Sequence, residues 1–494
     1  MNVIRRVCAA SFLILLLGAF SGCSAPAPAE KIDPSAVVSA PEATRRQKVE
    51  AIESMAADLR EGRVDPVAGR EPLKTIAWRR GARNDLRLAA IKALLEDDPV
   101  DTAHMLGLML PTETDWDVIR KIGDLAVENH WTELAPALVR SWSRPVATPT
   151  DADRPERAAL VGLFPGESIE AVVYRVFATP GQDDLFSDRA RTQAWGLLQR
   201  IDKDGSRTRA LLENDASPDS GDALLADLHA SARELRVVPR TAEQLDWLRS
   251  MRTTENQSFW RSAAKAVSTL TDEQRDGLAL RHVAAVVWAS AHEPSWLAAS
   301  RTELLSQAKS QLDSVRKHQR TDGYVDFTGD QRETFATWES RLVWGDALDL
   351  LVAIRAIVDP GVAERLFDQA TKDQADTTTE YGGAIDALAD GFRATLYPPR
   401  PTQRVSDRRF VASADLLRAS ATSLFHYHFH AQKWRNEAFA GPGRGDLDYA
   451  NRFGRACIVF TLVSKNTIDA DYYQPGGARL DLGEISRQSS SENP

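Results

Sequence analysis

Cysteine is scarce in this chain of 494 residues, which contains only three. Cys8 and Cys23 lie in the N-terminal segment, so Cys457 is the one cysteine left for the rest of the chain, and we expect no internal disulfide. Basic residues are not in excess either, because 61 Lys and Arg stand against 70 Asp and Glu, for a formal net charge of −9. This balance argues against nucleic acid as a partner. Beyond the N-terminal segment no apolar run is long enough for a membrane-spanning helix, so we expect a soluble body.

The N-terminus has the organisation of a secretory signal peptide. Arg5 and Arg6 precede an apolar run at residues 9–20, which is too short for a stable membrane-spanning helix. We therefore assign residues 1–22 to a signal peptide. Residues 23–44 are rich in Ala, Pro, Ser and Glu, and this composition predicts a flexible tether.

The end of this segment resembles a bacterial lipobox, because Ser21 and Gly22 stand directly before Cys23. The resemblance implies that Cys23 becomes the lipidated first residue of the mature chain. Phe20 stands where a lipobox usually has an aliphatic residue, so ordinary secretory cleavage is the alternative. A lipidated Cys23 implies an exported, membrane-anchored lipoprotein of the bacterial cell envelope, on the periplasmic side, whose acyl chains are its only membrane contact.

Residues 45–370 have helical hydrophobic periodicity almost throughout. One pattern, Arg-x-x-Ala-x-x-(Ala or Leu)-Leu, occurs at residues 87–94 and again at 191–198. The pattern is similar to HEAT-type repeats, in which small residues let paired helices stack closely. We predict HEAT-like repeats over 45–235, either as an α-solenoid or as an irregular helical bundle. A helical domain or a continuation of the repeats is expected over 236–370.

The sequence changes character after about residue 371, where short β-rich runs separated by turns begin. The predicted strands are Arg404–Val411, Ala421–His430, Ala456–Leu462 and Leu480–Ile485. The predicted helices between them are Ala384–Ala394 and Asp446–Phe453. We therefore predict a small α/β domain over residues 371–490. The predicted fold class is multidomain, mostly α, with this α/β domain at its C-terminal end.

Three of the nine histidines stand at alternate positions, at His426, His428 and His430. Alternate residues of a β-strand share one face, so these imidazoles would line one side of a strand and aromatic residues the other. Neutral imidazole is the commonest side-chain ligand of zinc, and the pattern therefore predicts a metal site. The alternative is a half-buried strand whose polar face simply carries histidine.

Two further motifs flank this predicted strand. Glu380 comes shortly before a Gly-Gly pair, and Asp446 follows a glycine-rich turn at the start of a predicted helix. Together with His428-x-His430 they resemble the JAMM (JAB/MPN-type) metallopeptidase motif, over roughly the last quarter of the chain. In that family a Glu precedes Gly-Gly, His-x-His-Pro lies on a strand, and Pro-Ser-x-x-Asp begins a helix. The resemblance implies that His428, His430 and Asp446 bind Zn²⁺ and that Glu380 is the general base.

These residue types support a coherent hydrolytic chemistry. Three protein ligands and a fourth position for water are typical of a catalytic zinc. Zinc lowers the pKa of water from about 15.7 to about 7, and Glu380 would accept the proton and pass it to the leaving amine. The resemblance therefore implies a zinc-dependent peptidase or isopeptidase, with its protein or peptide substrate held on the helical repeats.

The chain departs from the family motif at three places. Ala431 replaces the Pro after the second histidine. The interval from His430 to Asp446 is a few residues longer than usual, so the loop at 432–441 must bulge. Gly443 stands in place of the Ser that helps to stabilise the oxyanion in the family. Loss of one such donor typically costs about 10²–10³ in rate.

These departures keep a second interpretation open. Arg444, or a backbone N–H beside Gly443, could replace the missing donor, and His426 could hold a ligand or substrate or simply be exposed. The retained motif residues favour the enzyme. The missing Ser favours a non-catalytic envelope scaffold or binding protein with a degenerate JAMM-like domain.

Overall fold

The computed structural model of the chain describes residues 33–179, 184–215, 221–318 and 332–487, without the side chains of 184–188. The predicted signal peptide and Cys23 lie outside the described residues. The chain divides into two compact units, Met1–Met109 and Leu110–Pro494. Most of the described chain is helical, and a six-stranded mixed sheet lies at its C-terminal end. This confirms the predicted order of a helical region followed by an α/β region.

The first unit is helical in its described part. Its helices are α1 Pro34–Ser39, α2 Arg45–Arg60, α3 Pro66–Trp78, α4 Asn84–Asp97 and α5 Pro99–Met109. Helix α4 packs against both α2 and α3. The short helix α1 falls within the predicted tether, so that part of the tether is helical. None of the helices in the described ranges of the chain combines the length and the hydropathy needed to cross a lipid bilayer.

The second unit begins with a long series of helices. The first are α6 Trp116–Glu128, α7 Ala135–Ser143, α8 Pro155–Leu163, α9 Ile169–Ala178, α10 Asp184–Ile201, α11 Ser206–Asn214 and α12 Ala223–Ala230. They continue as α13 Ala242–Met251, α14 Gln257–Ser268, α15 Asp272–Arg275, α16 Leu280–His292, α17 Pro294–Ala298, α18 Arg301–Leu312, α19 Phe335–Trp338, α20 Trp344–Ile357 and α21 Pro360–Gln374. The HEAT-like arrangement and the boundaries at 235 and 370 stay predictions.

The repeated arginine of the helical pattern has the same contact in both copies. Arg87 of α4 donates from Nε to the carbonyl oxygen of Ala77, at 2.9 Å, near the end of α3. Arg191 of α10 donates from Nε to the carbonyl oxygen of Phe177, also at 2.9 Å, near the end of α9. The last carbonyls of a helix have no partner within that helix. In each copy the arginine therefore binds an end of the preceding helix.

The C-terminal region forms one sheet in the order β2-β1-β3-β4-β5-β6. Its strands are β1 Gly382–Leu388, β2 Gly391–Leu396, β3 Phe425–His430, β4 Cys457–Ser464, β5 Thr467–Tyr473 and β6 Arg479–Ser486. Strands β3 and β4 are parallel, and the other neighbouring pairs are antiparallel. Two helices, α22 Ala414–Ala419 and α23 Arg444–Phe453, interrupt the strands.

Two of the local predictions for this region are wrong, and one strand was missed. The predicted helix Ala384–Ala394 is wrong, because these residues form the antiparallel hairpin of β1 and β2. The predicted strand Arg404–Val411 is also wrong, because this segment is not a strand. Strand β5, Thr467–Tyr473, was not predicted. The predicted strands ending at His430, Leu462 and Ile485 and the helix at 446–453 are confirmed.

The two faces of the sheet pack against different helices. The histidine face contacts α22 and α23 through a core that includes Phe410, Leu416, Tyr449 and Cys457. On the opposite face, Tyr427 of β3 donates its hydroxyl proton to the side chain of Gln369 in α21. Cys457 is a buried free thiol, and burial raises its pKa. Because both faces are covered, β3 is buried at every position.

The Gly382-Gly383 pair at the start of β1 is required by close packing. A Cβ at Gly382 would overlap the ring of Phe410 and the backbone carbonyl of Tyr427. A Cβ at Gly383 would overlap the carbonyl oxygen of Thr395 and the hydroxyl of Tyr427. Backbone atoms cannot move aside as a flexible side chain can, so only glycine fits without a shift of the strands.

We predict that Gly383→Ala lowers the free energy of unfolding by about 1–3 kcal/mol through overpacking. The matched control is Gly196→Ala, because this exposed glycine of α10 has open space where the Cβ would lie. In a helix the alanine is expected to be neutral or stabilising by about 0.5–1 kcal/mol. Urea unfolding followed by circular dichroism measures both, and equal effects of the two substitutions would contradict the packing argument.

Candidate metal centre

The motif residues come from three different elements of the sheet region. His428 and His430 lie on β3, Asp446 lies in the first turn of α23, and Glu380 lies in the loop before β1. Gly382 pairs with His428 in the antiparallel register of β1 and β3. When this register is continued for two residues beyond the start of β1, Glu380 lies opposite His430. Helix α23 connects β3 to the parallel strand β4. Asp446 of this helix therefore lies over the same face of the sheet as His428 and His430.

The structure brings all four residues together. One ligand atom each of Glu380, His428 and His430 lies within 4.8 Å of the others. The Asp446 carboxylate is 3.3 Å from Nε2 of His428 and 3.8 Å from Nε2 of His430. The side chains are buried. Glu380, His428 and His430 therefore form a candidate metal-binding triad, and Asp446 faces the same two ring nitrogens.

Each histidine ring is oriented by contacts on its far side. Nδ1 of His430 donates to the backbone carbonyl of Phe439 at 2.9 Å, which leaves Nε2 with a lone pair in the neutral ring. His428 stacks on Phe410 with ring centroids 4.9 Å apart, and its Nδ1 lies 3.3 Å from the Tyr473 hydroxyl. Its Nε2 is buried, and apart from the 3.3 Å approach of Asp446 it has no hydrogen-bond partner in the part of the chain that the structure describes. The two Nε2 atoms thus face the carboxylates as metal-ligating nitrogens would.

Asp446 is held in its ionised form. Burial alone would raise the pKa of this carboxyl, but positive charge on the neighbouring His428 and His430 rings and the N–H of Gly443 outweigh burial and hold its pKa at about 2. The Gly443 N–H donates to Oδ2 of Asp446 at 2.6 Å. This bond closes the N-terminus of α23 and fixes one carboxylate oxygen. Because the Gly443 N–H already donates to Asp446, it is not directed at a reacting oxyanion.

Glu380 has the opposite electrostatic character. Burial, followed by the nearby carboxylates of Asp446 and Asp373, raises the pKa of Glu380 to about 9. Oε1 of Glu380 accepts a hydrogen bond from Gln432 at 3.2 Å. Glu380 therefore carries a proton at neutral pH unless a positive charge is placed beside it. A carboxyl with a raised pKa in a cluster of ligand atoms is typical of a functional site.

His426 is a structural residue of the same strand. Its Nδ1 lies 2.7 Å from the Tyr449 hydroxyl and its Nε2 lies 2.7 Å from the Ser420 hydroxyl. Both ring nitrogens are therefore occupied, and the side chain is fully buried. Burial lowers its pKa well below the usual value, so the ring is neutral. The expectation that His426 could be exposed is wrong.

The long loop after β3 orients residues of the site through hydrogen bonds. Asn436 donates from Nδ2 to the carbonyl oxygen of His430 at 3.1 Å and to the side chain of Gln432 at 2.8 Å. Glu437–Phe439 forms a short 3-10 helix that brings the Phe439 carbonyl to His430. The extra residues thus orient His430 and, through Gln432, Glu380. Arg444 is exposed on the first turn of α23.

The donor set fits zinc. Two imidazole nitrogens and carboxylate oxygens are its common protein ligands, and the buried Nε2 of His428 faces the Asp446 carboxylate at 3.3 Å without hydrogen-bond geometry, as a ligand atom around a shared ion would. The sequence did not reveal Gln432, Asn436 or Tyr473. Their side chains are common in many settings, and Phe439 acts through its backbone carbonyl.

Comparisons with known proteins gave no match, so inferences about function rest on the fold and on the site. No family model, no curated protein and no solved structure matches the chain.

We predict different effects of substituting two histidines of the same strand. His428→Ala abolishes binding of one zinc per chain, because it removes a ligand. His426→Ala keeps the zinc but lowers stability by about 1–3 kcal/mol, because buried hydroxyl groups lose their partner. Mass spectrometry of metal content and thermal unfolding measure the two effects. Loss of zinc in both variants to the same extent would contradict the assignment.

Proposed function

We propose that this protein is a zinc-dependent peptidase or isopeptidase of the bacterial cell envelope. The observation that carries the proposal is the meeting of Glu380, His428, His430 and Asp446 at one buried site. His428, His430 and Asp446 would hold the zinc, and Glu380 would act as the general base. The JAMM-like identity of the domain rests on these residues and on their order along the chain.

Zinc, when bound, supplies a Lewis acid that lowers the pKa of water to about 7 and polarises a carbonyl group. Glu380 accepts the proton of the attacking water at its carboxylate and delivers it to the nitrogen of the leaving amine. Gln432 orients this carboxylate through its hydrogen bond to Oε1. A positive charge in the site opposes the burial and the carboxylate repulsion that raise the pKa of Glu380, and so favours its role as a base.

The carboxylates of Asp446 and Glu380 have different proposed roles, one as a metal ligand and the other as a base. Both carboxyl oxygens of Asp446 face ring nitrogens, and its pKa is held low. Glu380 has a raised pKa and its Oε1 is engaged by an amide. We therefore assign metal binding to Asp446 and proton transfer to Glu380.

The second candidate is a metal-binding module without catalysis, and one observation favours it. Gly443 lacks the hydroxyl of the family's Ser, and its N–H is bound by Asp446. Under this alternative the domain is a degenerate JAMM-like fold in an envelope scaffold, and its partners bind elsewhere on the chain.

Localisation and partners belong to the same proposal. A lipidated Cys23 would anchor the chain to the envelope membrane on the periplasmic side. The helices that precede the sheet would then present the protein or peptide partner.

We predict that Glu380→Gln abolishes hydrolysis and keeps one zinc per chain, whereas Asp446→Asn loses the zinc. The reason is that Gln cannot accept a proton, and the Asn side chain is a poor replacement for an anionic ligand. The assay uses residues 24–494 with a fluorogenic peptide library, with metal content measured on the same samples. Asp448→Asn, an exposed carboxylate of α23, is the matched control and should change neither. Zinc loss in the Glu380 variant would reverse the assignment of the two carboxylates.

We also predict that Gly443→Ser raises the rate of hydrolysis by at least about 10-fold, because one oxyanion donor is typically worth about 10²–10³. The backbone at Gly443 has φ −80° and ψ 177°, an extended conformation that serine adopts readily. Zinc content should stay unchanged. Hydrolysis that stays undetectable in wild type and in this variant, with zinc bound in both, would support the non-catalytic module.

A further inference from the structure

A second cluster of buried carboxylates lies outside the histidine site, on β5 and β6. It consists of Asp469, Asp471 and Asp481, which have one oxygen each within 4.8 Å of the others. All three side chains are buried. The proposed hydrolysis does not use them.

Most carboxylate oxygens of this cluster lack a hydrogen-bond donor among the residues that the structure describes. Both oxygens of Asp469 and both oxygens of Asp471 have no hydrogen-bond partner among the described residues. Asp481 accepts a bond from the Gly483 N–H at 2.8 Å, and Lys317 and His318 also act on it, but its other oxygen has no hydrogen-bond partner within those residues. The charged groups that act on Asp469 and Asp471 include other carboxylates, among them Glu333. Burial of unpaired like charges is strongly unfavourable without a counter-charge.

Strand β4 provides a second, independent observation. Thr461 pairs with Asp469 in the register of β4 and β5, so its side chain lies on the same face of the sheet beside that carboxylate. The Thr461 hydroxyl oxygen is fully buried and, within the described ranges of the chain, has no hydrogen-bond partner. The Thr461 hydroxyl group and the carboxylates of the cluster thus lie on one face of the sheet. A cation would interact with the oxygen atoms of both kinds of group.

We propose that Asp469, Asp471, Asp481 and the Thr461 hydroxyl bind a hard divalent cation, Ca²⁺ or Mg²⁺. An all-oxygen donor set selects such a cation, whereas imidazole nitrogens favour zinc. The two sites therefore differ in donor chemistry.

The cation site is separate from the histidine site but linked to it through β4. Thr461 pairs with His430 on one side and with Asp469 on the other. Neighbouring strands lie about 4.7–4.9 Å apart, so the two sites are about two strand spacings from each other. This separation is too large for a bridged metal pair, which needs about 3.5–4 Å. The bound cation would instead lie at the register shift between Ala470 and Asp471 of β5, and β5 pairs with β4, the strand next to His430.

Shared protons are the alternative way to satisfy this cluster. Burial raises the pKa of Asp469 to about 8 and that of Asp481 to about 6, and like charges add to the effect on Asp469. A test must therefore show that a cation, rather than protonation, neutralises the carboxylates.

The test is a calorimetric titration of residues 24–494, first freed of metal with a chelator and then saturated with one equivalent of zinc. CaCl₂ and MgCl₂ are added separately. We expect one further ion per chain and a rise in melting temperature of about 3–6 °C at saturation. Asp469→Asn/Asp471→Asn should abolish this binding and keep the zinc, whereas Asp390→Asn, an exposed carboxylate of the β1–β2 turn, should change neither.

Thr461→Val provides a test that does not alter the charge of the cluster. Valine has nearly the shape of threonine, so the variant should fold, keep its zinc and bind the cation about 10-fold more weakly. Unchanged affinity would remove Thr461 from the site. The proposal is overturned if the zinc-saturated wild type binds neither Ca²⁺ nor Mg²⁺, or if both bind equally well to the double aspartate variant.

Discussion

The pairing of β3 with β1 on one side and β4 on the other is the constraint on which the rest of this region depends. The close approach of β1 needs glycine at 382 and 383, and its register with β3 places Glu380 opposite His430. The parallel pairing with β4 requires a crossover, and α23 in that crossover carries Asp446 to the histidines. The site therefore follows from strand pairing, and its four side chains are contributed by three segments.

Burial gives the site its electrostatic character. A buried carboxylate is stable only with a partner, and the two carboxylates here differ in their partners. Asp446 has two imidazoles and a backbone N–H, so its pKa is low, whereas Glu380 has mainly other carboxylates nearby, so its pKa is high. A metal ion placed between them would satisfy the ring nitrogen of His428 and would also lower the pKa of Glu380. One ion thus accounts for both features.

The sequence revealed the strand of alternating histidines, the helix that carries Asp446 in its first turn and the order of the two regions. It did not reveal the β1–β2 hairpin, because Ala384, Ala387 and Ala389 favour a helix locally while packing against β3 decides otherwise. It also missed β5, because Asp469 and Asp471 made an alternating strand look like a polar loop. Buried charge cannot be recognised from one sequence, since the groups that neutralise it come from distant segments. For the same reason the Gln432 and Phe439 contacts were beyond prediction.

We propose that β3 carries a zinc site made of nitrogen and oxygen ligands. X-ray absorption at the zinc edge of purified residues 24–494 can test this site. We expect two imidazole ligands with Zn–N distances of about 2.0–2.1 Å, further oxygen ligands, and loss of the imidazole contribution in His428→Ala/His430→Ala. A spectrum with sulfur ligands, or an unchanged spectrum in the double variant, would contradict it.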